Sequence, residues 1–259
     1  MVAVTAERRI EGQGTPETEW LEWLAHCPVP ALPWPGQDTP QARASRLVVV
    51  APHPDDEVLM CGGMLSLQAA LGGPMHLVAV TDGEASHALT DATARHQLAR
   101  ARRDERLNGL AQLSVHPSCL QSLGLPDGQV AAHEADLLAA LSRLLGPDDV
   151  VVCTWQLDGH PDHEACGRAT AASCLATGAL LLEAPVWMWH WAQPLDLRVP
   201  WERLRRLSLP LSAQAAKITA LAQHRSQLAP RSAELGPVLG SHIQDRAHRV
   251  AEYFLVAAS

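Results

Sequence analysis

The chain has 259 residues, with 20 basic side chains against 28 acidic ones, a formal net charge of −8, and a 47% hydrophobic share. That length fits one generous α/β domain with an appended segment, and the composition excludes a disordered or fibrous chain. An acidic balance with pI near 5.9 argues against a nucleic-acid binder, which carries a basic face, and no apolar run reaches the roughly 20 residues of a membrane span. Residues 1–14 carry Glu7, Arg8, Arg9 and Glu11 and lack the apolar core of a signal peptide. Six cysteines without a CxxC pair read as buried free thiols. A cytoplasmic protein without nucleic-acid or membrane partners is the expectation, and a homo-oligomer stays open.

Residues 1–45 read as an N-terminal extension packing on the main body, which runs as a single domain over 46–259. Thr15-Pro16-Glu17 marks a helix start, a cap followed by proline. Trp20, Trp23 and Leu24 follow at helical spacing as anchors, and prolines 28, 30, 33, 35 and 40 break everything after them. From Leu47 the pattern changes to strands alternating with helices. Leu47-Val48-Val49-Val50-Ala51 is a continuous apolar run, as in a strand buried on both faces. A helix is predicted over 57–71, a strand over 76–80, a long polar helix over 92–113 and a short strand over 119–123. Leu137, Leu141 and Leu144 share one helical face. A fourth strand is predicted over 150–154, a helix over 164–176, and a fifth strand within 180–191 that places Trp187, Trp189 and Trp191 on one face. Late helices fit 213–227 and 241–250, with a closing strand over 253–256. This alternation implies a Rossmann-like, mostly parallel sheet with helices on both faces. Ligands in such folds bind outside the carboxyl ends of the strands.

Two clusters stand at those ends: Pro52-His53-Pro54-Asp55-Asp56-Glu57 after the first strand, and Asp158-Gly159-His160-Pro161-Asp162-His163 after the fourth. His53 and Asp56 are three residues apart, as are His160 and His163, a spacing that lets side chains converge at a strand-to-helix turn. Catalytic zinc takes three protein ligands from His and carboxylate and keeps one position for water. The alternative for either cluster alone is a capped helix start, in which acidic side chains favour the positive end of the helix dipole. Two clusters at matched positions favour a metal site. No GxxxxGK or GxGxxG loop is present, and His133-Glu134 lacks the second histidine of a zinc-protease helix.

Together the two motifs resemble the PIG-L/LmbE-like N-acetylglucosaminyl deacetylase family, from Leu47 to about Phe254. Thr81-Asp82-Gly83-Glu84, Arg102 with Glu105, Leu123 to Gly128, and His224-Arg225-Ser226-Gln227 support the resemblance in order and spacing. It implies His53, Asp56 and His163 as ligands of Zn2+, with Fe2+ or Co2+ as alternatives. It further implies Asp55 as general base, His160 as the group that stabilises the oxyanion or assists the leaving group, Arg102 and Asp127 as substrate-binding residues, and Asp162 as the carboxylate that orients a histidine. Where some members carry tyrosine this chain has Asp158, expected near the mouth of the site. His224 is a further candidate to reach it from a late helix. The implied activity is hydrolysis of an N-acetyl or other N-acyl group from a small-molecule amino sugar or sugar conjugate. Alternatives are a deacylase or conjugate amidase on a non-sugar amide, a sugar-binding protein without catalysis, and a non-haem Fe(II) oxygenase, whose facial triad also uses two histidines and a carboxylate.

Overall fold

The computed structural model describes residues 8–34, 45–232 and 234–256. Its strands are β1 (Leu47–Ala51), β2 (Met75–Ala79), β3 (Leu120–Ser122), β4 (Val150–Thr154), β5 (Leu180–Ala184), β6 (Leu204–Ser208) and β7 (Ala251–Val256), in the sheet order β3-β2-β1-β4-β5-β7-β6. The first five run parallel, and β7 and β6 add an antiparallel edge. This is the mostly parallel α/β sheet that the alternation predicts. It is an open sheet, not the double-stranded β barrel that usually houses a non-haem iron triad.

The helices are α1 (Glu17–His26), α2 (Asp56–Ala70), α3 (Ala92–Gln112), α4 (Glu134–Leu144), α5 (Pro161–Thr177), α6 (Met188–Trp191), α7 (Leu211–Leu221), α8 (Arg225–Leu228) and α9 (Ser241–Ala247). β1 alternates between two cores, as a strand covered on both faces must. Leu47, Val49 and Ala51 pack with Met64, Leu110 and Leu221, while Val48 and Val50 pack with Leu137, Leu141 and Ala169. Among the described residues no helix is long and apolar enough to cross a membrane.

Several local expectations need correction. β6 is a strand that the apolar pattern does not predict. Its run Leu-Arg-Arg-Leu-Ser buries only Leu204 and Leu207, too few apolar positions to announce a strand. Trp187, Trp189 and Trp191 do not alternate along a strand. β5 ends at Ala184 and α6 is a helical turn, because Pro185 has no N–H and the next three, on Val186, Trp187 and Met188, donate to the Asp158 carboxylate. The late helix breaks after Leu221, and α8 is a separate turn. Thr15 does not cap α1, since its hydroxyl donates to the Ala192 carbonyl.

The segment before β1 is held to the body through buried contacts. Trp20 is fully buried against Trp189, with ring centroids 4.9 Å apart, and its Nε1 donates to the Trp189 carbonyl at 2.8 Å. Arg249 clamps Glu17 with two bonds of 2.7 Å. Prolines 35 and 40 and the charge at Glu7 lie outside the described residues.

The helix that follows the first motif is kinked at Cys61, where φ −152°, ψ 30° interrupts the helical ladder. The interruption has an identifiable partner on β7. Glu252 accepts the N–H groups of Gly63 at 2.7 Å and Met64 at 2.9 Å, and Lys217 of α7 joins it at 2.7 Å while donating to the Leu59 carbonyl. A Cβ at Gly63 would press on the Leu209 side chain, which would have to shift to admit it. Lys217 and Glu252 are both buried, so removing one partner leaves a desolvated charge. Glu252→Ala is expected to destabilise the fold by about 3–5 kcal/mol, read from the midpoint of urea unfolding at unchanged slope.

Candidate active site

β1 and β4 are adjacent and parallel, so the turns that leave their carboxyl ends face one another. His53, Asp55 and Asp56 come from the first turn and His160, Asp162 and His163 from the second. Asp56 is the hub. Its Oδ2 accepts the His53 backbone N–H at 2.9 Å and lies 3.1 Å from His53 Nδ1 and 3.3 Å from His163 Nε2. One ligand atom from each of His53, Asp56 and His163 lies within 4.8 Å of the others, and all three residues are buried.

The second ring nitrogen of each histidine is held by another carboxylate. His53 Nε2 lies 3.2 Å from Asp162 Oδ2 and 3.2 Å from Asp127 Oδ1. His163 Nδ1 lies 2.8 Å from Asp158 Oδ2. Metal-binding imidazoles are oriented by this kind of outer carboxylate. His53, His160 and Asp162 also come close enough to share an ion. That set is the poorer one, because the Asp162 oxygens already accept the N–H groups of Gly128 at 2.7 Å and Val130 at 3.1 Å. Arg102 is hydrogen-bonded to Asp55 within the buried set of Asp55, Asp56, Asp158 and Asp162, so four carboxyl groups are gathered there with a guanidinium on one of them. A divalent cation therefore suits the donor set.

Asp55 stands beside Asp56 but points elsewhere. Its φ of 130° is outside the conformations ordinary for an L-residue. Arg102 Nη2 reaches Asp55 Oδ2 at 3.2 Å and the Pro54 carbonyl at 2.8 Å, and Nη1 reaches the Gly83 carbonyl at 2.8 Å. Arg102 is thus buried against the Asp55 turn as well as lining the cavity. His160 Nδ1 accepts the Asp162 N–H at 3.2 Å, which leaves Nε2 as the protonated nitrogen of the neutral ring. Asp127 Oδ2 accepts the Ala85 N–H at 2.8 Å, so this carboxylate ties the loops after β2 and β3 together.

Burial and charge pull these groups apart. Burial pushes the Asp55 carboxyl up to about 7, with Arg102 opposing and Asp56 adding to the rise. Burial also favours neutral Asp56, but His163 and His53 override it and hold that carboxyl well below the usual range. His163 is raised to about 9 by Asp56 and Asp158 against the effect of burial. Burial, then His163 and His53, depress His160 to about 3.

Two expectations change. Asp158 is not at the mouth: it is fully buried and accepts from Val186, Trp187 and Met188 in addition to facing His163. The signal for it was the Asp-Gly step ahead of His160, since a short side chain before a tight glycine turn can fold back under the histidines. His224 does not line the cavity. It is buried beside Gly109 of α3, with neither ring nitrogen bonded among the described residues.

The cluster forms part of the floor of a cavity of about 610 Å³, lined also by Ala85, Ser86, Trp187, His190 and Ile243. Comparison with known proteins agrees with this geometry. The family model described as GlcNAc-PI de-N-acetylase (PIG-L) matches residues 48–174, which contain both motifs. A 1D-myo-inositol 2-acetamido-2-deoxy-alpha-D-glucopyranoside deacetylase of Mycolicibacterium vanbaalenii is 28% identical over 236 residues, covering 71% of this chain and 81% of the relative. A probable N-acetyl-alpha-D-glucosaminyl L-malate deacetylase 2 of Bacillus subtilis is 29% identical over 129 residues, covering 48% of this chain and 58% of the relative. In fold, the chain is similar to the N,N'-diacetylchitobiose deacetylase of Pyrococcus horikoshii, with TM-score 0.52, 20% identity and 71% of each chain covered. With both motifs inside the matched region and at adjacent strand ends, the chain belongs to the PIG-L/LmbE-like deacetylase family.

Proposed function

We propose that this chain is a metal-dependent hydrolase that removes an N-acetyl, or other N-acyl, group from a small-molecule amino sugar or sugar conjugate. The observation that carries the reading is the convergence of His53, Asp56 and His163 beside Asp55 and His160 on one cavity. The three converging donors would hold a divalent ion, zinc by preference, with Fe2+ or Co2+ as alternatives. When bound, such an ion supplies Lewis acidity, acidifying water and polarising an amide carbonyl.

The chain's own residues do the rest. Asp55 takes a proton from the attacking water at a carboxylate oxygen and returns it to the departing nitrogen, so the products are a carboxylic acid and a free amine. Arg102 keeps that carboxylate in place. His160, with Nδ1 occupied by the Asp162 N–H, donates from Nε2 to the carbonyl oxygen as charge develops there, a contribution of about 3 kcal/mol in comparable sites. Asp162 and Asp158 fix the rings of His53 and His163. Asp127 and Arg102 offer polar contacts to sugar hydroxyls from the loop side of the cavity. The direct test is metal-replete protein incubated with N-acyl amino-sugar conjugates, N-acetylglucosamine conjugates among them, with detection of freed primary amine. Absence of amine release with every conjugate and each of the three metals would reject the activity.

Two variants separate the roles. Asp55→Asn keeps the shape and removes the basic oxygen, so metal content should stay near wild type while kcat falls by roughly 10² to 10⁴. Asp56→Ala should instead lose the ion on dialysis, and metal loss from Asp55→Asn would reverse the two assignments.

Asp158→Asn leaves His163 in the site but weakens the bond that orients it. Metal affinity is expected to fall by about 10- to 100-fold, measured by competition with a chromophoric chelator. Unchanged affinity would mean that the backbone bonds of Asp158, and not its contact with His163, are its whole contribution.

A further inference from the structure

The cavity has two unlike flanks, and the strand order sets them on opposite sides of the catalytic cluster. The loops after β2 and β3 bring Ala85, Ser86, Asp127 and Gly128, a flank of hydroxyl, carboxylate and backbone groups. The segments on the β5 and β7 side bring Val186, Trp187, Leu239 and Ile243, and Leu59 of α2 and Ile10 complete a mainly apolar wall, although Glu11, His190, Gln227, Arg231 and His242 line the cavity as well. Asp158 ties this wall to the site, since the carboxylate that holds His163 also accepts the N–H groups of Val186 and Trp187.

Ile10 belongs to a segment outside the residues matched by the family model. The segment is nonetheless fixed. His190 Nε2 lies 3.3 Å from the Glu11 carbonyl oxygen, Thr15 N donates to the His190 carbonyl at 2.9 Å, and Arg8 pairs with Glu164 at 3.0 Å. Gly14, at φ +62°, lies so close to the His190 ring that any Cβ would collide with it. The extension thus supplies part of the cavity wall.

An amide has two substituents, and the reacting carbonyl must sit at the cluster between the flanks. Sugar hydroxyls need polar partners and find them on the β2–β3 side. The group on the other side of the amide bond then meets the mainly apolar wall, in a cavity of about 610 Å³ that leaves room beyond one N-acetylhexosamine. Resting on the deacylation reading above, we infer that the wall of Leu59, Val186, Trp187, Leu239, Ile243 and Ile10 is a subsite for the acyl chain, and that the preferred substrates carry a linear acyl group longer than acetyl.

The test is a series of N-acylglucosamines with acetyl, butanoyl, hexanoyl and octanoyl groups, assayed with the full metal-replete chain by release of primary amine. Specificity, kcat/KM, should rise by about two- to fourfold per methylene until the chain leaves the wall. The ratio of hexanoyl to acetyl specificity cancels any loss of active protein, and in Ile10→Asp it should fall towards one. A flat or falling series in wild type, with acetyl still removed, overturns the subsite and leaves the deacylation reading intact. A gain with octyl glycosides of N-acetylglucosamine in place of the acyl series assigns the wall to the aglycone and also overturns it. If no member releases amine, the deacylation reading fails, and calorimetry decides the subsite. N-hexanoylglucosamine binding more tightly than N-acetylglucosamine retains it, and equal affinities reject it.

Discussion

Negative charge concentrated out of water at the carboxyl ends of β1 and β4 is the constraint around which the rest is arranged. Asp55, Asp56, Asp158 and Asp162 are each at most 4% exposed, and an uncompensated buried carboxylate costs several kcal/mol. Compensation comes from imidazoles, from Arg102 and from backbone N–H groups drawn in from elsewhere. Gly128 and Val130 serve Asp162, and Val186, Trp187 and Met188 serve Asp158. The last three bonds have consequences beyond the site. They end β5, wind the following residues into the α6 turn, and so present Trp189 and His190 to the N-terminal segment. The docking of Trp20 and Thr15 therefore depends, through that turn, on the need to satisfy Asp158.

Most of the sheet was legible because buried parallel strands read as continuous apolar runs. Val150–Thr154 and Leu47–Ala51 have no polar interruption, and both form strands with the bounds their runs suggest. β6 was hidden because it is an edge strand with two arginines in five residues. The tryptophan segment misled for a different reason. Tryptophans at every second position suggest a strand only while the backbone N–H groups remain free for a ladder, and here Asp158, 28 to 30 residues away, takes those of Val186, Trp187 and Met188. No local window contains that information.

The residues at the site were legible in kind and less so in partnership. His53, Asp56 and His163 converge because their turns leave neighbouring parallel strands, which the strand alternation allows one to foresee. That Asp158 would lie beneath His163 depended on the turn at Gly159, whose φ of +101° folds the preceding side chain inward. Arg102 showed the opposite difficulty. A cation on a long polar helix reads as solvent-facing or ligand-facing, and only the packing of α3 against the β1 turn brings it onto Asp55.

Neighbouring carboxylates with different tasks pose a geometrical problem that the backbone answers at a cost. Side chains of adjacent residues at an ordinary helix start would compete for the same surroundings, and Asp55 and Asp56 would repel each other at close range. The φ of 130° at Asp55 turns its carboxylate towards Arg102 and leaves Asp56 to the histidines. A non-glycine residue in such a conformation is strained by about 1–3 kcal/mol, and glycine alone would adopt it freely, but glycine has no carboxylate. The strain persists because the surroundings over-determine the turn: the Asp55 carbonyl accepts from Val58 and Leu59 at 2.9 Å each, and Arg102 grips both the Pro54 carbonyl and the Asp55 side chain. On the proposed reading this is the point where the fold trades stability for chemistry, since relaxing the turn would merge two roles that the hydrolysis needs apart.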